Sequence, residues 1–299
     1  MTALTRGGRP AVTRRRAAVL AVVCGAGVLA AWLAWPAPDG GIVYAAPGGT
    51  PLTLEIDYPA GPGPHPVVLF APHRGDWDGS FKREDRCRIL VKALTRAGYA
   101  VATIHYRLIG AHPFPAQIKD GKAAVRWLRA NAGRLGLAAD RVGAIGVSAG
   151  GYGVCMLGTT GPNDGFDDPG EEPVAGRVQA VVALGAPVDW TGGEWSTFVE
   201  AHYLRPFLGK TFAEDPALYA RASPGAYATS DDPPVLLVHS AHDQLVPVAQ
   251  ARTFAAKLRR AGVTVELVEE AGAEHVWGGP RLEHTLTSVV KFLDANLRR

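Results

Sequence analysis

The sequence predicts an α/β fold: a mostly parallel central sheet with helices on both faces and, between two of its strands, room for a small cap. Two observations carry this prediction. Short continuous apolar runs such as Val67–Ala71 (VVLFA) are of the kind buried on both faces of a parallel sheet. These runs alternate with stretches of helical spacing, the rhythm of β-α units. Composition agrees, with 47% hydrophobic and 20% charged residues among 299, which are globular values.

Each element follows in chain order. Residues 17–35 form a stretch without charge, directly after Arg14, Arg15 and Arg16. Such a stretch is long enough to cross a bilayer as a helix, and the preceding positive charge would hold the N-terminus inside. An uncleaved membrane anchor is the favoured reading over a cleaved signal peptide or a twin-arginine signal, and each implies export. Trp35 to Pro51 is rich in Pro, Gly and Ala and reads as a linker. The chain thus divides into a leader or anchor with its linker over 1–40 and a single domain over 41–299.

Leu52–Tyr58 alternates with period two and reads as a strand, followed by the strand Val67–Ala71. A helix is expected over Arg83–Ala97, a strand over Tyr99–Ile104, and a helix over Ala116–Ala132. The strand Val142–Gly146 precedes a helix that starts at Ala149. Residues 160–178 are acidic and turn-rich, hence a loop. The remaining strands are Ala180–Leu184, Val235–Val238 and Val263–Val268, with helices over Val248–Ala261 and Glu283–Leu297. Trp190–Tyr227 carries short aromatic pieces and no clear strand; it reads either as a cap over the site or as a surface excursion.

The sharpest chemical signal is Gly146-Val147-Ser148-Ala149-Gly150-Gly151. A serine held between a strand and a helix, with small residues two before and two after, has the context of a nucleophile elbow. A serine hydroxyl is a poor nucleophile near neutral pH, so it needs a base, and the base needs an orienting carboxylate. In chain order the acid comes next and the histidine last. Asp243 follows the strand Val235–Val238, and His275 follows the strand Val263–Val268, both in strand-end loops. Of nine histidines, the others fall in Pro-rich loops, in the cap region, on the last helix, just past a strand, or beside the acid. Asp189 is the runner-up acid and is expected to brace a loop. Acyl transfer also needs donors for the carbonyl oxygen as it becomes negative. The N–H of Ala149 is one candidate; Arg74 and Gly75, in the loop after Val67–Ala71, supply the other, if that loop is more than a turn.

Several function classes lose support. A formal net charge of +3 gives no reason for a nucleic-acid partner. No histidine pair shows helical metal-ligand spacing beside a carboxylate, so neither a metal nor another cofactor is expected. Three cysteines are too few for a disulfide framework. Cys87 and Cys155 read as buried free thiols, although an exported domain would permit a bridge between them.

The chain resembles α/β-hydrolases of the hormone-sensitive-lipase-like and bacterial feruloyl/acetyl esterase kind. The resemblance rests on His73-Arg74-Gly75-Asp76-Trp77, Tyr106-Arg107-Leu108, the run from Pro113 to Ala132, Gly146–Gly151, Ala222–Tyr227, Asp231–Val248 and Gly272–His275. It implies an α/β-hydrolase fold and a carboxylesterase that acts on a small-molecule ester, short-chain or aryl, with acetyl or feruloyl groups as examples. Ser148, Asp243 and His275 would be its triad. One departure stands out: the family loop commonly reads HGGGW, and here it reads HRGDW, which places Arg74 at a glycine position and Asp76 near a developing negative charge. Two other readings fit the same residues: an amide hydrolase, such as a formamidase or a peptidase, and a catalytically silent hydrolase fold used for binding.

Overall fold

The computed structural model describes residues 41–72, 85–167, 175–192, 195–272, 274–275 and 277–298. They belong to one compact unit, Pro36–Arg299. The expected membrane segment, residues 17–35, and the candidate oxyanion residues Arg74 and Gly75 lie outside the described residues. Among the described residues, no helix is long and apolar enough to cross a membrane.

Among the described residues, eight strands form one sheet: β1 (Ile42–Ala45), β2 (Leu52–Asp57), β3 (His65–Ala71), β4 (Ala100–Ile104), β5 (Leu137–Val147), β6 (Ala180–Leu184), β7 (Val235–Ser240) and β8 (Val265–Glu270). Their order is β1-β2-β4-β3-β5-β6-β7-β8, with only β2 antiparallel to its neighbours. The helices are α1 (Asp85–Arg96), α2 (Ala116–Ala130), α3 (Ala132–Leu135), α4 (Ala149–Thr159), α6 (Pro216–Ala222), α7 (Ala249–Ala261) and α8 (Gly279–Leu297). Between α4 and α6 lies α5, residues 197–208, in which the π-helical turn Glu200–Leu204 separates two short α-helical pieces.

The two faces of each buried strand feed separate cores, because side chains alternate across a strand. Val67, Leu69 and Ala71 of β3 pack with Val125 and Leu128 of α2, Val154 and Leu157 of α4, and Phe254 and Leu258 of α7. Val68 and Phe70 face the other way, toward Leu90 and Leu94 of α1 and Val289, Phe292 and Leu293 of α8. The helices meet the sheet through narrow apolar stripes, as Ala251, Phe254, Ala255 and Leu258 show at positions i, i+3, i+4 and i+7. Phe254 and Phe292 are fully buried; truncating such a ring to alanine costs about 3–5 kcal/mol. The outer strand β8 exposes Glu266 and Glu269, charges that discourage edge-to-edge pairing.

Several boundaries differ from the sequence reading. The expected linker over Trp35–Pro51 contains β1, whose Ile42 and Val43 pair with Leu54 and Thr53 of β2. Strand β5 begins at Leu137 rather than Val142, because its first residue pairs with His65 before a register shift. Strand β8 begins two residues late, since Val263 donates its N–H to Leu258 O and so closes the end of α7. Helix α8 starts at Gly279, with Pro280 in its first turn, where a missing N–H loses no hydrogen bond. Cys87 and Cys155 are both buried, and no disulfide joins them. The described parts of 160–178 carry no helix or strand, as expected.

Residues from Trp190 to Tyr227 form a small layer with an aromatic core of its own. Trp190, Phe207 and Tyr219 pack there with Tyr152 of α4 and Phe166. Of the two readings for this region, the cap is the one the structure shows: Trp195, Val199, Tyr203, Leu204 and Phe207 line the pocket that holds Ser148.

Candidate active site

In open parallel sheets, sites form beyond the carboxyl ends of the strands, where the strand order reverses. Here the chain leaves β3 for β4 on one side and returns to β5 on the other. Ser148 directly follows β5, in a left-handed conformation with φ 54° and ψ −118°. It is the one non-glycine residue with positive φ among the described residues, and such a backbone costs about 1–3 kcal/mol. The surroundings hold it there. Its N–H donates to Leu184 O at 2.8 Å. A Cβ on Gly146 would lie 2.2 Å from Gly150 O, and one on Gly150 would lie 2.1 Å from Ala71 O. Only glycine fits at either position.

The three residues expected to form a triad converge. The Ser148 hydroxyl lies 2.8 Å from His275 Nε2, and His275 Nδ1 lies 2.7 Å from Asp243 Oδ2. With Nδ1–H donating to the carboxylate, Nε2 presents its lone pair to the hydroxyl. The other carboxylate oxygen, Oδ1, accepts from the N–H groups of Leu245 (2.8 Å) and Val246 (2.9 Å). Burial works against the charge on Asp243. The bonds from His275 and from the Val246 and Leu245 amides outweigh it and hold its pKa below the usual carboxylate range.

The loops after β7 and β8 are tied together, which explains how residues distant in sequence meet. Ala241 N–H donates to Glu270 O, and His242 N–H donates to Gly272 O, each at 2.9 Å. The Ser240 hydroxyl donates to Glu274 O at 2.6 Å, one residue before His275. Behind the acid, His239 is almost fully buried. It donates from Nε2 to Val246 O at 2.8 Å and lies 3.5 Å from Asp243 Oδ2. Burial pushes its pKa down, so it stands neutral behind the carboxylate. Asp189 braces a loop, as the sequence predicts. It accepts from Thr191 Oγ1 at 2.6 Å and pairs with Lys257 of α7 at 3.0 Å.

Ala149 is the first residue of α4, and its N–H has no carbonyl four residues back to accept it. The partial positive charge of a helix N-terminus adds to this donor's strength. On the far side, the Tyr106 hydroxyl donates to Pro72 O at 2.6 Å and so fixes the last described residue before the loop of Arg74 and Gly75. Arg107, next in sequence, makes a forked pair with Asp120, whose side chain is 2% exposed. This anchors Tyr106-Arg107-Leu108 to α2.

A pocket of about 900 Å³, counting the part open to solvent, lies over Ser148. Ile104, Tyr106 and Gln117 line one wall, Ala149, Gly153 and Leu157 of α4 the floor, and the aromatic cap residues the roof. The sequence reading missed two polar groups in this lining. Gln117 gives Nε2 to Arg107 O and His112 O, while its Oε1 is buried without a partner, as is the Tyr152 hydroxyl. Their position beside the pocket depends on the cap, which no local pattern reveals. Among the described residues, no group of three or more His, Cys, Asp or Glu side chains is placed to hold a metal ion.

A family model described as BD-FAE matches residues 54–258, more than two thirds of the chain. The chain belongs to the BD-FAE family. This BD-FAE chain is 30% identical over 239 residues to Esterase LipC of Mycobacterium tuberculosis, a match covering 77% of this chain and 58% of that one. It is 31% identical over 235 residues to Esterase LipQ of the same organism, covering 77% and 55%. The chain thus spans a little over half the length of these curated relatives. A solved structure titled as a truncated form of carbohydrate esterase from gut microbiota superposes with a TM-score of 0.72 at 22% identity, covering 83% of this chain and 91% of that one. The fold is therefore the α/β-hydrolase fold.

Proposed function

We propose that this protein hydrolyses carboxylic esters through an acyl-enzyme, with Ser148 as nucleophile, His275 as general base and acid, and Asp243 as the group that orients His275. One observation carries the reading: an unbroken chain of contacts from Ser148 Oγ through His275 to Asp243, at 2.8 and 2.7 Å, with Ser148 lining an apolar pocket. The esterase names of the curated relatives support it.

The steps follow from the geometry. His275 Nε2 takes the proton as Ser148 Oγ attacks the ester carbonyl carbon, and the carbonyl oxygen becomes an oxyanion. The Ala149 N–H stabilises that charge, and Arg74 and Gly75 are the proposed source of a second donor. The imidazolium, stabilised by the Asp243 carboxylate, then protonates the leaving alcohol as the C–O bond breaks. Water repeats the sequence on the acyl-enzyme, giving up its proton to His275 and releasing the acid and the free serine.

The aromatic roof favours esters with a short-chain or aryl group, acetyl and feruloyl groups on carbohydrate included. Residues 17–35, apolar and preceded by three arginines, would export the domain and tether it to a membrane. N-terminal sequencing of exported protein, with membrane fractionation, tests that part.

Ser148→Ala should abolish p-nitrophenyl acetate turnover while the melting temperature holds. Turnover that persists in the variant would remove Ser148 from its role. Labelling of the native protein by a fluorophosphonate, lost in the variant, separates an active hydrolase from a silent fold.

A further inference from the structure

Helix α4 contains four glycines, and three of them have a packing reason in the protein itself. A Cβ on Gly150 would meet Ala71 O at 2.1 Å, one on Gly151 would meet Ala186 Cβ at 2.8 Å, and one on Gly158 would meet Val181 Cγ2 at 2.6 Å. Among the described residues, a Cβ on Gly153 would meet no atom within 4 Å beyond the backbone of its own helix. Yet Gly153 sits mid-helix and lines the pocket, and glycine inside a helix costs about 1 kcal/mol relative to alanine. The protein carries that cost without using the space for its own packing.

The space belongs to the pocket. Ala149, Gly153 and Leu157 recur every fourth residue along α4, so they form one stripe of the pocket floor. Ala149 provides the expected oxyanion donor at the near end of the stripe. At the far end Leu157 is backed by Gly121 of α2, where a Cβ would come within 3.2 Å of both Leu157 methyl carbons. The same pocket is lined by the cap rings Trp190 and Phe207, whose centroids are 5.3 Å apart.

From this we infer that Gly153 is a specificity-determining residue: it keeps open an inner subsite that takes the larger apolar group of the ester. The inference rests on the esterase reading and gives it a substrate size. Helical rise places Gly153 ~6 Å beyond Ala149 and Leu157 ~12 Å beyond it. An acetyl group, ending one bond from the carbonyl carbon, does not reach Gly153. An aryl ring or a chain of about four to six carbons does, and the ~12 Å limit excludes long fatty chains.

The experiment compares the full chain with Gly153→Ala and Gly153→Val on two substrate series: p-nitrophenyl esters from acetate to decanoate plus benzoate, and acetate esters of alcohols of increasing size. The readout is the ratio of kcat/KM for the larger substrate to that for the smallest. One methylene that a pocket cannot accept is worth about 10–200-fold. The ratio should therefore fall about tenfold or more in Gly153→Val in one of the series, and by a smaller factor in Gly153→Ala. The series that responds tells whether the subsite holds the acyl or the alcohol part. Helix propensity predicts that Gly153→Ala melts no lower than the native chain, so this variant keeps the test valid even if the valine variant fails to fold. If neither ratio moves while the native chain turns over acetate, this inference falls and the esterase reading stands. If the native chain turns over no ester of either series, both fall.

Discussion

Replacing Asp243 with asparagine tests the orientation of the triad without disturbing its shape. Oδ1 of residue 243 accepts from the Leu245 and Val246 amides at 2.8 and 2.9 Å. An asparagine keeps these bonds only by placing its carbonyl oxygen there, which turns its NH2 toward His275 Nδ1 across the 2.7 Å contact. An NH2 group can only donate, so Nδ1 must present its lone pair and the proton moves to Nε2, facing Ser148 Oγ at 2.8 Å. The base is then in the wrong tautomer. The variant also loses the carboxylate that stabilises the imidazolium, an attraction of about 4 kcal/mol for charges ~4 Å apart at an effective dielectric constant of about 20. Loss of tautomer control in a serine triad lowers kcat about 10⁴-fold, equivalent to about 5.4 kcal/mol. The assay is p-nitrophenyl acetate turnover at about pH 7, with thermal unfolding measured alongside. Because Asp243 has a depressed pKa in the folded state, its charge contributes stability above the unfolded value near pH 3.9 and loses it as pH falls through the folded pKa. The native chain should therefore lose stability more steeply in acid than Asp243→Asn does. A loss of kcat smaller than about tenfold, with the fold intact, would refute the tautomer argument.

Other predictions follow from the surrounding structure. Asp120→Ala leaves the Arg107 guanidinium, 16% exposed, without its carboxylate partner; breaking such a pair costs about 3–5 kcal/mol and should lower the melting temperature by about 6–20 °C. An unchanged melting temperature in calorimetry would show that Arg107 finds another partner. His239 has a depressed pKa because it is buried, so as pH falls below about 6.5 the unfolded chain takes a proton that the folded chain refuses, and stability falls toward the folded pKa. His239→Gln should flatten that decline in urea titrations at about pH 7 and pH 5, and parallel declines would remove His239 as its source.

The sheet was legible because its signals are local. A continuous apolar run such as Ala180–Leu184 can only be buried on both faces, and all five of its residues are. Ser148, Asp243 and His275 could be placed by chain order alone, since each lies just past a strand that the apolar pattern had already marked. What sequence missed depends on distant partners. The four residues of β1 form a strand only through pairing with β2, and nothing in Ile42–Ala45 announces that pairing across a Pro-Gly turn. The cap folds around Tyr152, Trp190 and Phe207, three rings from separate segments, so its aromatic pieces read equally well as a surface excursion. Gly153 was hidden for a different reason. In sequence it cannot be told from Gly151 or Gly158, and only the space beside each one separates a packing glycine from a pocket glycine.

The strained Ser148 and the end of β3 are held by one set of contacts. Gly150 allows α4 to approach Ala71 O, at the end of β3, and Gly146 allows the same turn to close on Gly150 O. Pro72, the next residue, is pinned by the Tyr106 hydroxyl, and Tyr106 is held in turn by the Arg107–Asp120 pair to α2. A side chain at residue 150 would therefore displace Ser148 and the Ala71-Pro72 segment together. The cost of holding Ser148 at φ 54°, about 1–3 kcal/mol, is met by this packing of β3, β5 and α4 against one another. The elbow therefore tolerates only glycine at 146 and 150, because a Cβ at either position would collide with backbone atoms that the turn needs in place.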